Sequence, residues 1–80
     1  MAMQHLTHTH TARAERFLAV PEIVDADVLD YFADAERVTA AQWQSAVNAR
    51  DFAQANALGI IHLEAHQKQE VALGRFLAAL

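Results

Sequence analysis

Cysteine is missing altogether from this 80-residue chain, which excludes disulfides and thiolate metal sites and removes the most reactive nucleophile. Two glycines and one proline supply too little turn chemistry for a β-meander or sandwich, and the few β-branched residues never alternate over a strand length. No run approaches the roughly 18 apolar residues of a membrane span, and the first residues carry no apolar signal core. A cytoplasmic location without membrane attachment is the expectation. Cations are scarce as well: six Lys and Arg against ten Asp and Glu give a net charge of −4. A protein that neutralises a phosphate backbone needs a surplus of them, so nucleic acid is not the expected partner.

What is present points to helices. Hydrophobic residues make up 54% of the chain, many of them alanine, which favours helix and allows close helix approach while adding little core volume. The composition predicts an all-α fold, a small bundle of three or four helices with a long C-terminal helix. Residues 1–11 read as a flexible N-terminal arm and 12–80 as a single helical domain. A domain this small buries a modest share of its surface and has no covalent staple, so a partner subunit is the cheapest source of further stability.

Residues Arg13, Ala14, Phe17 and Leu18 place one apolar edge on a first helix from about Thr11 to Ala19, which Pro21 ends. A second helix is predicted from an Asp25 cap to about Arg37, with Val24, Val28, Tyr31, Phe32 and Ala35 toward the core. Thr39 to Gln42 fits a capping box, flanked by Val38 and Trp43 at the positions of a hydrophobic staple, so a third helix is expected to begin at Ala40. Asp51 with Gln54 either caps a fresh helix or lies inside a continuing one. From Phe52 onward, steps of about 100° gather Phe52, Leu58, Leu73, Phe76, Leu77 and Leu80 on a stripe proposed for self-association. Ile60, Ile61 and Val71 lie off it, as expected of a helix shared between subunits.

Chemistry-bearing residues are few. His62 and His66, four apart, share one helix face, and with Glu70 a turn further on they form a candidate transition-metal site. Glutamate falls two places after the first histidine, which is not the metalloprotease arrangement. Two adjacent, partly desolvated imidazoles would oppose each other's protonation, so acid is expected to loosen the interface they occupy. His5, His8 and His10 would hold copper, nickel or zinc loosely. Six of the ten acids lie between Glu22 and Glu36, making Asp27, Asp30 and Asp34 a candidate docking face for a basic protein. Ala55, Leu58, Gly59 and Ile60 occupy the spacing around the turn of a helix-turn-helix, so residues 52–68 look like that DNA-binding family, although Glu64 would face phosphate with the wrong sign. Ser45 is the lone serine, and with no glycine-rich phosphate loop or converging carboxylate pair every standard nucleophilic or acid-base scheme lacks a member, so no cofactor is called for. The expected function is a non-enzymatic protein-protein interaction or regulatory module that self-associates through its C-terminal helix as a homo-oligomer. The alternatives are the DNA-binding regulator and a histidine-based metal-responsive module.

Overall fold

A computed structural model describes residues 16–80, and they contain two helices, α1 (Ala26–Asn48) and α2 (Phe52–Ala78). The expected bundle of three or four helices is corrected to a helical hairpin preceded by an extended segment. One surplus helix came from the capping-box pattern at Thr39, where α1 in fact runs straight through. The Thr39 hydroxyl donates to the Ala35 carbonyl at 2.7 Å, with the Glu36 carbonyl at 3.1 Å. It back-bonds to the preceding turn instead of capping a new one, and its side chain is buried against α2. The helix expected from Thr11 to Ala19 is not present over residues 16–19, and its residues 11–15 lie outside the described residues. The arm of residues 1–11, with His5, His8 and His10, lies outside the described residues.

Both helix starts follow local rules. Asp25 caps α1 by accepting from the Val28 N–H at 2.9 Å, and Asp51 caps α2 by accepting from the Gln54 N–H at 3.2 Å. Asp51 therefore opens a fresh helix, and α2 then continues unbroken for 27 residues. Between them Arg50 adopts a left-handed φ of 62°. The Arg50 and Asp51 N–H groups turn back onto the Val47 and Ala46 carbonyls, closing the end of α1.

The helices pack antiparallel along a heptad seam. In α1, Phe32, Thr39 and Ala46 are buried at intervals of seven; in α2, Ala55, Ala65 and Ala72 are buried at the matching positions. The register is fixed by Phe32 packing on Ala72, Glu36 bonding His66, Thr39 bonding His62 and Trp43 lying over Gly59. Phe32 is the only large side chain among the described residues that is fully buried, and its cluster draws in Val24, Val28, Leu29, Phe76 and Val20.

Val20 and Val24 come from residues 16–25, which form a strap along one face of the hairpin. Lys68 donates from Nζ to the Phe17 and Leu18 carbonyls at 3.1 and 3.0 Å. One heptad later Arg75 donates to the Val20 and Pro21 carbonyls at 2.9 and 3.1 Å. Seven helical residues rise about 10 Å, and the three residues of extended chain between those carbonyl pairs span about the same length. Strap and α2 thus run parallel with matched pitch. An Arg16–Glu64 pair at 3.5 Å and a Leu18 N–H to Tyr31 hydroxyl bond at 3.4 Å continue the attachment.

Two stability predictions follow from this packing. A methyl group on Gly74 would meet nothing within 4 Å, so Gly74→Ala is expected to raise the unfolding free energy by up to about 1 kcal/mol through helix propensity alone, read by chemical denaturation. Arg75→Met keeps the apolar stem but removes two charged hydrogen bonds; because these sit at the surface, a loss of about 1–2 kcal/mol is expected. It should be accompanied by faster amide exchange at Leu18 while both helices stay protected.

Candidate functional site

The face opposite the strap is built by a simple doubling of the hairpin seam. In each helix the residue following a seam position is displaced by about 100°, and in an antiparallel pair that displacement carries both helices toward the same side. In α1 the following positions are Leu29, Ala33, Glu36, Ala40, Trp43 and Val47. In α2 they are Asn56, Gly59, Leu63, His66, Glu70, Leu73 and Leu77, extended by Phe52 and Leu80 at the same spacing. This second seam is largely uncovered: Leu63 is 54% exposed, Leu77 56% and Phe52 61%.

At its middle lies an open groove of about 570 Å³ lined by Trp43, Gly59, His62, Leu63 and His66. The indole rests on Gly59 so closely that a methyl there would stand 3.3 Å from Trp43 Cδ1 and Nε1. Glycine is used at this point for approach and not for a turn. The continuous helix through Gly59 leaves no turn for the helix-turn-helix arrangement expected of residues 52–68. Among the described residues no helix is long and apolar enough to cross a membrane.

The two histidines are held from α1. The Thr39 hydroxyl has one proton, given to the Ala35 carbonyl at the shorter distance, so its lone pair accepts from His62 Nδ1 at 3.0 Å. His66 Nδ1 donates to Glu36 Oε1, also at 3.0 Å. The ring centroids are 6.5 Å apart. Among the described residues no group of three or more His, Asp or Glu side chains is arranged to hold a metal ion, Glu70 with the two histidines included. His66 is shifted above the ordinary histidine pKa, first by its hydrogen bond to Glu36, against which desolvation acts, with the Glu36 and Glu70 charges adding to the rise. The carboxylates favour the protonated ring, so the expectation that acid loosens this contact is reversed for His66.

Of the residues expected to mediate self-association, Leu58 and Phe76 are half-buried in the hairpin seam, Phe76 against the core cluster, Leu73 is half-buried on the second seam, and Phe52, Leu77 and Leu80 are exposed. The acidic run is divided among several roles. Asp25 is a cap and Glu36 turns in to His66, while Asp34 pairs with Arg37 at 2.8 Å, and Asp27 and Asp30 are exposed. Trp43 was expected to anchor its helix against the others and Gly59 offered a close helix crossing, whereas the bonds of Glu36 to His66 and Thr39 to His62 were not anticipated. The signal that would have found them is the repetition of the heptad pattern one residue later in both helices.

No family model matches the chain, and no curated protein or solved structure matches it either. Function is accordingly argued from the geometry of this face.

The Glu36–His66 pair sets a pH dependence. A histidine pKa raised on folding stabilises the fold fully below the unfolded value of 6.5, and this contribution is lost as pH rises through the higher folded value. The melting temperature is expected to fall between pH 6 and pH 8, and the slope should flatten in both Glu36→Gln and His66→Gln. An unchanged slope in both variants would remove this pair as its source.

Proposed function

We propose that the protein is a non-enzymatic helical interaction module that associates with a second copy of itself through the face opposite the strap. The supporting observation is the second heptad seam, present on both helices, directed to one side, and apolar except for Asn56, Glu36, His66 and Glu70. A helix in a square four-helix bundle covers two seams about 90° apart, one for each neighbour. In this hairpin every helix has both and covers one.

Size supports a second copy as the occupant. Two helices 35–40 Å long, packed about 10 Å apart, offer roughly 700 Å² per copy, near the 800 Å² per partner of a standard stable interface. The buried hydrophobic set among the described residues is Val24, Phe32 and four alanines, a small core for an independent domain.

Sedimentation equilibrium of the whole chain at 1–100 µM (a range chosen around about micromolar affinity) tests the reading. A dimer is expected, and the double variant Leu63→Asp, Leu77→Asp should weaken it by about a hundredfold or more, because four leucines per dimer lose cover. Helical circular dichroism should persist, since neither leucine lies in the hairpin seam. Phe76→Asp, by contrast, should unfold the hairpin. A monomer throughout the range would overturn the proposal.

A further inference from the structure

Resting on that reading, a more specific inference concerns how the two copies are arranged. We propose that they stack face to face with their loops at the same end, so that α1 of each copy lies on α2 of the other around a two-fold axis parallel to the helices. The opposite choice, with loops at opposite ends, would lay α1 on α1 and α2 on α2.

The residues of the open face decide between these choices layer by layer. Within one hairpin, Trp43 is level with Gly59 and Glu36 with His66; one helical turn between them sets Ala40 level with Leu63. In the same-end stack each layer holds two residues from each copy, and they alternate around the bundle. Trp43 is flanked by its own Gly59 and by the partner's Gly59, so two indoles share a layer with two hydrogen side chains. Leu63 stands between two Ala40 residues in the next layer. Alternation of large and small side chains is how facing positions interdigitate without voids or overlap. In the layer after that, each Glu36 carboxylate has a His66 imidazole on either side, so a contact already made at 3.0 Å within the chain is repeated between chains.

The opposite-end stack loses this match. Its axis would cross at the level of Glu36 and His66, where the symmetry of the face is centred, and would set Glu36 against the partner's Glu36. Long-range charge argues the same way. Within α1, Asp27, Asp30, Asp34 and Glu36 are set against one cation, Arg37, whereas in α2 Glu64 and Glu70 are balanced by Lys68 and Arg75. Stacking α1 on α1 brings two acidic helices together; stacking α1 on α2 separates them.

The chain has no native cysteine, so single spin labels at Ala53→Cys and at Gln67→Cys, both exposed and off either seam, report the topology through the distance between copies. In the same-end stack the two labels give distances equal to within a few ångströms, because both copies run in one direction. In the opposite-end stack α2 lies about 10 Å from the partner's α2, so the two Gln67 labels stay close together while the two Ala53 labels are offset along the helices by about 39 Å, lengthening that distance by roughly 25 Å relative to Gln67. Equal distances are the expected result. A longer Ala53 distance overturns this arrangement and leaves the association standing, whereas the absence of any intermolecular distance at 100 µM (well above a roughly micromolar dissociation constant) sinks the association itself. Retained helical dichroism of each labelled variant establishes that the fold is intact.

Discussion

The contact between α1 and α2 is made mainly by side chains of one carbon. Ala46, Ala55, Ala65 and Ala72 line it, with Thr39 and Phe32 as the larger members, so the two backbones approach closely and interlock in a defined register. Close approach gives good dispersion contact, yet an alanine methyl removes far less apolar area from water than the ~1.5–3 kcal/mol worth carried by a leucine or phenylalanine. The hairpin is thus well specified and weakly driven. The strap adds Val20 and Val24 to the Phe32 cluster at the end where α1 begins and α2 finishes, while Phe52, Leu63, Leu77 and Leu80 stay exposed on the second seam and Val38, Ile60 and Val71 on other faces.

Polar groups within this contact set register more than they add stability. Thr39 bonds both its own preceding turn and His62, and Glu36 reaches His66. Sliding the helices by one turn would separate both pairs and leave the buried Thr39 facing an apolar side chain. Such pairs contribute little net free energy when formed but impose a cost on every alternative pairing. The same logic explains why one member of the acidic run differs from the others: Glu36 is the acid placed one residue after a seam position, where it meets a helix instead of water.

How much of this was readable beforehand depends on where the deciding interactions lie. The all-α character, the Asp25 cap and the long helix from Phe52 rest on local composition and spacing, and the structure has them. The helix count went wrong because a capping box is a local signal, and at Thr39 a non-local contact with α2 competes with it and wins. The extended strap was read as a helix edge because its apolar residues, Phe17 and Leu18, fit helical spacing; what holds them extended is Lys68 and Arg75, some fifty residues away in sequence. The histidine pair was visible as a shared face, but its partners lie on the other helix, and pairings across a hairpin need a register that spacing within one helix does not provide. A single stripe drawn over α2 merged two seams: Leu58 and Phe76 belong to the first, and Phe52, Leu73, Leu77 and Leu80 to the second.

The strap also bears on what kind of assembly a helical hairpin of this composition forms. A hairpin with both faces bare presents two surfaces, and contacts between unlike surfaces build open-ended stacks. Here one face carries backbone carbonyls bound to Lys68 and Arg75, and Tyr31 is engaged by the Leu18 N–H. On that side the strap occupies the cations of α2 and the Tyr31 hydroxyl. Under the proposed association the remaining face would meet its own copy, and such an isologous contact closes after two members. Attachment of the strap by cations a heptad apart on α2, and exposure of leucines one residue after the seam, thus divide the same helix into a side that covers its own chain and a side that is left open.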